Sequence, residues 1–399
     1  MFASLLLLVL SFHFVEGSAF EPTLNCSQYS DDRHVLNSLP FKVTILDNSS
    51  SCQQNPACAR LNAQNQVYDL ALDLVPTALQ VYCLTHLQSL YIFGYITSGY
   101  TWPIPYEIGK LTNLTYLSLS YVDGKDIPET IGELKLLRTL YLLAIRITYI
   151  TGALAALPSL TDLTLHAPLA ELPSFLSILP LNHLGILNGQ FTTIPEDFFR
   201  NLNPTLSSLT IDISHLVNLG PFADLTNLTT LGITGDGMSV LPWQFTYMTN
   251  LKDLRFQGLN CLSAFPRNFT RGVTYLDLSK NCFTQLPAPL LLSETLANID
   301  MSYNQLTDLS TLALSRSPLS VVFLPFNQIQ YIPPEIINLS ESLSYLALYG
   351  NQLTTLPAEQ IVKMKKLTGL DVQFNNINDT EKARLKSIFA ANPNLTVYF

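Results

Sequence analysis

Leucines and other apolar residues recur along most of the chain in the pattern L-x-x-L-x-L. The first apolar position of each copy is Leu87, Leu114, Leu137, Leu160, Leu181, Leu206, Leu228, Leu251, Val273, Leu296, Leu319, Leu343 and Leu367. Because side chains alternate between the two faces of a strand, x-L-x-L-x predicts a short strand with its leucines on one face. One such strand cannot bury its leucines alone. The copies are therefore predicted to stack as a solenoid with a continuous core.

Two further positions recur within the copies. Asparagine lies eight residues after the first apolar position in five copies, at Asn281, Asn304, Asn327, Asn351 and Asn375. An amide there can hydrogen-bond backbone groups of the neighbouring turns, where the chain leaves the strand. An apolar residue and a proline share a later offset, at Ile127-Pro128, Ile194-Pro195, Leu241-Pro242, Leu286-Pro287, Ile332-Pro333 and Leu356-Pro357. The apolar residue is predicted to face inward, and the proline to stop the strand from extending.

The asparagine position is occupied differently in the first half of the repeats. Between Leu114 and Leu251 it holds Val122, Ile145, Pro168, Gly189, Ser214, Asp236 and Leu259. We therefore expect no asparagine ladder there and less regular turns.

The segments LDLSKNCFTQLP and LALYGNQLTTLP resemble leucine-rich repeats, and the resemblance extends over residues 67–399. The copy IPETIGELKLLRTLYL, from Ile127, resembles the plant-type extracellular subclass. The resemblance implies an α/β solenoid, a leucine-rich-repeat horseshoe with a concave parallel β-sheet and a mostly irregular or short-helical convex side. Repeats are assigned to residues 67–378, in about 13–14 copies of 21–27 residues.

The two ends are expected to differ from the repeats. An apolar run at residues 5–14, followed by Gly17, Ser18 and Ala19, is typical of a signal peptide, here residues 1–19. The alternative is an N-terminal anchor that stays attached, for which the run is short. Residues 20–66 are expected to cap the N-terminal end of the core. Residues 379–399 are expected to cap its C-terminal end, with a helix over 379–390.

Eight Asn-X-Ser/Thr sequons agree with export, because N-glycosylation occurs in the secretory pathway. They are Asn25, Asn48, Asn113, Asn227, Asn268, Asn338, Asn378 and Asn394. No later stretch reaches about 18 uninterrupted apolar residues, the length of a membrane helix. We expect a secreted, extracellular protein without a membrane span once the signal is removed.

The six cysteines fall into two groups. Cys52-x5-Cys58, followed by Val67-x-x-Leu70-x-Leu72, resembles the cysteine-paired N-terminal cap of plant-type extracellular leucine-rich-repeat proteins. That resemblance implies the pairs Cys52–Cys58 and Cys26–Cys83, although four cysteines allow three pairings. Cys261 and Cys282 lie on adjacent turns, one position out of register. We expect Cys261 to face the core and Cys282 to face outward, and both a disulfide and two free thiols remain open.

Charge excludes one class of partner. The net charge is −9, only 13% of residues are charged and no basic stripe is present, so a nucleic-acid partner is not expected. The 48% hydrophobic content excludes a disordered chain.

Candidate ligand contacts are the x residues of the strands, which point to the concave surface. We assign this role to Tyr91, Phe93, Tyr116, Tyr121, Tyr141, Asp162, Asp253, Arg255, Asp277 and Asp300. A second aromatic group lies near the C-terminal end, at Phe323, Phe326, Tyr345, Tyr349 and Phe374, and Tyr303 precedes it. Exposed tyrosine and phenylalanine on a rigid sheet favour binding. The alternative is that these aromatics pack against one another across the sheet.

Two groups of residues allow a test for catalysis. Asp277 and Asp300 occupy equivalent positions on neighbouring strands and could share a proton, bind a cation or hydrolyse a glycoside. Aspartate between two leucines is also a common filler, and Arg255 on the adjacent strand could neutralise the pair. His166 and His183 lie four strand positions apart, about 13 Å, which is too far for one metal ion. We expect no catalytic site, no metal site and no cofactor.

These observations favour a secreted, non-catalytic protein that binds a protein, peptide or glycan through its concave sheet, in recognition, adhesion or defence. The alternatives are a secreted inhibitor of a foreign hydrolase and, third, a hydrolase that uses Asp277 and Asp300. The sequence leaves the ligand and the oligomeric state open.

Overall fold

The computed structural model describes most of the repeat region and both ends of the sheet. The described residues are 24–46, 52–54, 57–73, 78–93, 104–122, 127–144, 147–235, 245, 247–259, 261–264, 272–287 and 292–399. The predicted signal peptide, residues 1–19, lies outside them.

One long sheet runs through the described residues, and each strand pairs with the strands before and after it in the chain. The strands are β1 (Thr44–Ile45), β2 (Cys58–Leu61), β3 (Val67–Asp73), β4 (Ser89–Phe93), β5 (Tyr116–Val122), β6 (Thr139–Ala144), β7 (Asp162–His166), β8 (His183–Leu187), β9 (Ser208–Asp212), β10 (Thr230–Thr234), β11 (Asp253–Gln257), β12 (Tyr275–Asp277), β13 (Asn298–Asp300), β14 (Val321–Phe323), β15 (Tyr345–Ala347), β16 (Gly369–Asp371) and β17 (Thr396–Tyr398). All pairings are parallel except that of β2 with β3. The predicted solenoid with a parallel concave sheet is confirmed.

Short helices form the convex side of the repeats and parts of the two caps. The α-helices are α1 (Asp32–Asn37), α2 (Phe198–Leu202), α3 (Ser310–Ala313), α4 (Ala358–Ile361) and α5 (Asp379–Phe389). The 3₁₀-helices are Cys26–Gln28, Cys52–Gln54, Leu79–Cys83, Tyr106–Lys110, Glu129–Glu133, Gly152–Ala156, Ser174–Ile178, Gly220–Asp224 and Pro334–Leu339. Helix α5 corresponds to the helix expected over 379–390. Within the described ranges, no helix has the length and apolarity to cross a bilayer.

The repeated apolar residues form one core between the sheet and these helices. From Leu114 to Leu367 the first apolar position of every copy is buried, with at most 2% of its surface exposed. The later apolar-Pro pairs behave as predicted at Ile127-Pro128, Ile332-Pro333 and Leu356-Pro357. In each pair the apolar residue is buried and the proline directly precedes a convex helix. Each turn therefore buries apolar residues from both its strand and its return segment.

The asparagine ladder is present in the second half, as predicted. In Asn327, Nδ2 donates to the carbonyl of Met301 in the preceding turn at 2.9 Å and to that of Leu324 in its own turn at 3.1 Å. Its Oδ1 accepts the backbone N–H of Leu306, again in the preceding turn, at 3.0 Å. Asn281, Asn304, Asn351 and Asn375 make equivalent bonds to their own preceding turns. One side chain thus satisfies backbone groups of two turns where the strands end.

Strands are shorter in the turns that contain the ladder asparagine. Strands β12 to β16, whose turns contain it, have three residues each, whereas β4 to β11, whose turns lack it, have five to seven. Asparagine supplies hydrogen bonds to the backbone just after the strand, and regular strand geometry ends there. Single backbone bonds between neighbouring turns, such as Lys280 N–H to the Ser302 carbonyl at 2.9 Å, continue beyond it. In its absence the backbone continues to pair with the neighbouring strand. The first half therefore presents more outward residues per strand.

The residue before each ladder asparagine has a left-handed backbone. Lys280, Tyr303, Phe326, Gly350 and Phe374 have φ values of 58°, 56°, 55°, 66° and 55°. This conformation costs about 1 kcal/mol or more in a residue with a Cβ atom. Only Gly350 among the five is free of that penalty.

Replacing Asn327 with alanine removes the shared hydrogen bonds and leaves buried backbone groups of two turns unpaired. We expect Asn327→Ala to lower the free energy of unfolding by about 3 kcal/mol, because each unpaired buried group costs about 1–3 kcal/mol. Urea unfolding followed by circular dichroism measures this loss. The control is Gln328→Ala, at the exposed next residue, which should change it by less than about 0.5 kcal/mol. Equal effects of the two substitutions would contradict the role assigned to the ladder.

Candidate functional site

The pairing register arranges the candidate residues in two rows across the concave face. The first row runs through Tyr116, Thr139, Asp162, His183, Ser208, Thr230, Asp253 and Tyr275. The second runs through Tyr91, Ser118, Tyr141, Thr164, Gly185, Thr210, Gly232, Arg255, Asp277 and Asp300. Neighbouring members of a row lie on adjacent strands, whose backbones are about 4.8 Å apart. The side chain of Tyr121 lies outside the described part of the structure.

The N-terminal cap covers part of the aromatic group at the first end. Tyr91 is only 8% exposed and packs against the Cys52–Cys58 disulfide. Its ring centroid lies 4.8 Å from that of Tyr116 and 6.4 Å from that of Phe93. Burial raises the pKa of Tyr91 to about 12. The prediction that Tyr91 is exposed on the concave surface is therefore wrong, because residues of the cap fold onto this end of the sheet.

Tyr116, Phe93 and Tyr141 remain half-buried, so part of each side chain reaches solvent. Burial also raises the pKa of Tyr116, and Tyr141 on the next strand adds to this effect. For Tyr91 and Tyr116, the mutual packing considered as an alternative is present. Tyr141, one strand further from the cap, is the most central of the group.

An ion pair under the cap was not among the sequence candidates. Arg60 Nη1 lies 3.3 Å from Oδ2 of Asp69, and the Arg60 guanidinium lies over the ring of Tyr68 at 5.0 Å. Asp69 is buried. The sequence contained a sign that Asp69 lies on the sheet, because Asp69 directly precedes a repeat leucine, as the candidates Asp162 and Asp253 do.

Small and hydroxyl-bearing residues form the centre of the concave face. Gly185 and Gly232 lie beside Thr164 and Thr210, and a Cβ atom on Gly185 would lie 3.0 Å from Oγ1 of Thr164. His183 connects two strands, with Nδ1 3.0 Å from Oγ of Ser208 and Nε2 3.4 Å from Oγ1 of Thr164. Burial lowers the pKa of His183, opposed by the charge of Asp162. The centre is therefore a low, polar floor, and its glycines, unlike Asp162, were not recognised as candidates.

His166 and His183 are separated as predicted. His166 pairs in register with Leu187, whereas His183 pairs with Asp162. Across the described residues, no group of three or more histidine, cysteine, aspartate or glutamate side chains is arranged to hold a metal ion.

Arg255 forms an ion pair with Asp253 on its own strand. Its guanidinium donates to both carboxylate oxygens of Asp253, at 3.0 and 2.8 Å, and lies over the ring of Tyr275 at 5.2 Å. Hydrogen bonding to Asp253 raises the pKa of Arg255 further. The guanidinium therefore neutralises chiefly Asp253, rather than the pair formed by Asp277 and Asp300.

Asp277 and Asp300 are register neighbours, as expected, but both carboxylates serve the turns. Oδ1 of Asp277 accepts the backbone N–H of Ser279 at 2.9 Å, and Oδ2 accepts the Gln257 amide. Oδ1 of Asp300 accepts the N–H and the hydroxyl of Ser302, and burial raises the pKa of Asp300. Asp371 accepts the N–H of Gln373 in the same way. A shared role in closing the turns explains the recurrence of aspartate at this position.

The C-terminal aromatic residues form a continuous row along the ends of the strands. Ring centroids are 4.5 Å apart for Tyr303 and Phe326, 5.0 Å for Phe326 and Tyr349, and 4.8 Å for Tyr349 and Phe374. On the strand face beside this row, the rings of Phe323 and Tyr345 are 5.7 Å apart. We call these six residues the C-terminal aromatic surface.

The cysteines are paired in the structure as Cys26–Cys83, Cys52–Cys58 and Cys261–Cys282. The first two pairs are those implied by the resemblance. The direction expected for Cys261 is wrong. It is exposed, with φ 74°, while Cys282 is half-buried. A left-handed backbone at Cys261 turns its side chain out of the core, and the strand-like alternation assumed for it does not apply.

Six of the eight sequon asparagines are described, and all six are exposed: Asn25, Asn113, Asn227, Asn338, Asn378 and Asn394. Asn48 and Asn268 lie outside the described ranges. The side chain of Asn113 donates to the carbonyl of Thr85 and that of Asn227 to the carbonyl of Asn203. Asn378 Oδ1 caps helix α5.

Comparison with known proteins gives the same architecture. A family model described as leucine rich repeat matches residues 317–377. Osteomodulin of Bos taurus is 26% identical over 42% of this chain, and lumican of Coturnix japonica is 29% identical over 55% of it. The chain spans 34% of the length of that osteomodulin and 63% of that lumican. A solved LRR protein of Leptospira interrogans matches 82% of this chain and 89% of its own length, with a TM-score of 0.59 and 27% identity.

The turn-closing role of Asp277 is tested by two substitutions. Asp277→Asn keeps an oxygen for the Ser279 N–H, and the Gln257 amide can rotate to present its oxygen to the new NH₂ group, so the free energy of unfolding should change by less than about 0.5 kcal/mol. Asp277→Ala leaves that buried donor unpaired and should lower it by about 1–2 kcal/mol. Urea unfolding of both variants measures the difference. Equal losses would show that the charge matters rather than the hydrogen bond.

Proposed function

This chain is a leucine-rich-repeat protein, and we propose that it is a secreted, non-catalytic binding protein that recognises an extracellular protein, peptide or glycan through its concave sheet. The observation that carries the proposal is the surface between the half-buried Tyr141 and the group formed by Asp253, Arg255 and Tyr275. Between these ends lies the low floor of glycine and hydroxyl residues. Aromatic and arginine side chains around a rigid polar floor are the chemistry of recognition surfaces.

The ligand contacts we propose are Tyr116, Tyr141, Asp162, Asp253 and Arg255. Tyr91 is covered by the cap and packs against Tyr116 on the neighbouring strand, so it helps to hold the Tyr116 ring in place. Phe93 stacks beside Tyr91 and contributes its exposed edge. These residues lie on strands, whose side chains are held in place by cross-strand packing. Little conformational entropy is therefore lost when they bind.

The carboxylates and histidines argue for binding rather than turnover. Asp277 and Asp300 accept hydrogen bonds from their own turns, and His183 is held between two hydroxyl groups. A general acid or base must reach the reacting atoms, whereas both oxygens of Asp277, Oδ1 of Asp300 and both nitrogens of His183 are engaged within the sheet. We therefore assign them to the stability and shape of the concave face.

Export is supported by three independent features. The sequence of residues 1–19 has the pattern of a signal peptide. Three disulfides are present, and disulfides persist in oxidising compartments. The six described sequon asparagines are exposed, as glycosylation requires.

The proposed surface is tested by capture from extracellular fluid with purified, immobilised protein. We expect a partner that is retained by the unaltered protein and by Tyr149→Ala, which removes an exposed tyrosine outside the strands. Tyr141→Ala and Arg255→Ala should each weaken its capture at least about tenfold, the loss of one central contact. Equal capture by all four proteins would contradict the concave location. An assay for hydrolase activity on the captured partner, with and without this protein, distinguishes simple recognition from inhibition.

Export and glycosylation are tested together by expression in a secretory cell line. We expect the protein in the medium, starting after the signal peptide, with a mass that falls on enzymatic removal of N-glycans. Deletion of residues 2–19 should abolish both export and the glycan mass, because the chain no longer enters the secretory pathway. Protein that remains attached to cells with residues 1–19 intact would instead support the N-terminal anchor.

A further inference from the structure

The C-terminal aromatic surface lies at the opposite end of the sheet from the aromatic group under the cap, and the proposed concave site does not include it. Four of its rings are exposed, with Phe374 75% and Tyr303 52% exposed. Tyr345 and Tyr349 are half-buried. The four rings of its row contact one another over four consecutive turns, stacked for Tyr303 and Phe326 and edge-to-face for the next two pairs. A continuous exposed apolar surface of this kind is typical of an interaction site.

The backbone beneath the row gives a second reason to assign it a role. Tyr303, Phe326 and Phe374 all have left-handed backbones, which cost about 1 kcal/mol or more each. Gly350 occupies the equivalent position in its own turn, which shows that the turn accepts glycine. The exposed ring of Phe374 adds little to the core in return for this strain. The rings are therefore best explained by the surface that they form.

Carboxylates flank the rings at a defined spacing. Asp300, Phe323, Ala347 and Asp371 are register neighbours on four successive strands. Three strand spacings place the backbones of Asp300 and Asp371 about 14 Å apart. Tyr303 follows Asp300 in its turn, and Phe374 follows Asp371. Each carboxylate thus lies next to exposed aromatic rings.

The acidic groups of this surface have no cationic counterpart among the described residues. Neither Asp300 nor Asp371 forms an ion pair there, and no described cation lies over any of the six rings. Tyr345 pairs in register with Gly369, two residues before Asp371, and its ring lies against Gly369. Burial and then the charge of Asp371 raise the pKa of Tyr345. Aromatic rings beside a carboxylate attract arginine and lysine side chains, through cation–π contact and charge pairing.

We propose that the C-terminal aromatic surface binds an extended basic segment of a partner polypeptide, with arginine or lysine at residues i and i+4. An extended chain advances about 3.4 Å per residue, so four residues cover about 14 Å, the separation of Asp300 and Asp371. The two cationic groups pair with these carboxylates, and their methylene groups and the intervening residues lie against the rings. This surface shares no residue with the proposed concave site.

The test uses two fluorescein-labelled nine-residue peptides made of glycine, serine and two arginines. In one the arginines are four residues apart, and in the other they are adjacent. Fluorescence anisotropy at low ionic strength should show at least about fivefold tighter binding of the spaced peptide, because only that spacing reaches both carboxylates. A third peptide with glutamine at both arginine positions should not bind. Equal binding of the two arginine peptides would overturn the proposal, since it would reflect net charge alone.

Matched variants locate the binding. Asp371→Asn keeps the oxygen that accepts the Gln373 N–H, and Phe374→Gly removes a ring where the backbone already favours glycine, so both should retain the fold and its Tm. Each substitution should weaken binding of the spaced peptide at least about fivefold. The controls are Glu335→Gln, an exposed acid at the start of a convex helix, and Tyr331→Ala, an exposed tyrosine outside the strands. Both should bind normally.

Two other results would overturn the proposal. A loss in Glu335→Gln equal to that in Asp371→Asn would show diffuse attraction to an acidic protein. Binding of cellohexaose, a neutral oligosaccharide, that requires Phe374 but not Asp371, without binding of the spaced peptide, would show that the rings stack on sugars. Neither result bears on Tyr141 or Arg255, so failure here is separable from failure of the proposed concave site.

Discussion

Each turn of this chain can bury its leucines only against the next turn, and the rest of the structure depends on that constraint. The turns must repeat at nearly constant length, so that their strands remain about 4.8 Å apart and their apolar residues meet in one core. The same stacking places equivalent residues of successive turns side by side. Any side chain repeated at an outward position therefore becomes a row across the surface, as with Tyr303 and Phe326.

Two ways of satisfying the backbone divide the solenoid into two surfaces. Without asparagine, the strands of the first half pair over five or more residues and expose a broad polar floor, which includes Thr164 and Gly185. With asparagine, the strands of the second half stop after three residues, and the left-handed residue that follows presents its side chain at the edge. Strand length thus differs between the two halves with the presence of asparagine. The left-handed residue does not depend on it, because Asn188, Gly235 and Gly258 have positive φ values at the same position in turns without asparagine. The aromatic row arises because the second half has tyrosine and phenylalanine in this part of the turn.

The sequence predicts what the repeat itself determines: the buried leucines, the register that joins Asp277 to Asp300, and the bonds of Asn327. These depend on period and alternation, which are local properties. The cover over Tyr91 could not be predicted, because it depends on how residues outside the repeat fold back onto the sheet. Cys261 was misplaced since strand alternation does not extend into a turn with a positive φ. The role of Gly185 could not be predicted either, because it depends on the register that places Gly185 beside Thr164.

The central claim is that the concave face is where a ligand binds, and side-chain oxidation by hydroxyl radicals tests it most directly. Tyrosine rings that reach solvent are oxidised, and bound ligand protects those it covers. With the captured partner present, the account predicts protection of Tyr141 and Tyr275, while Tyr149, exposed outside the strands, is oxidised as before. Protection of Tyr149 with unchanged oxidation of Tyr141 and Tyr275 would contradict the account.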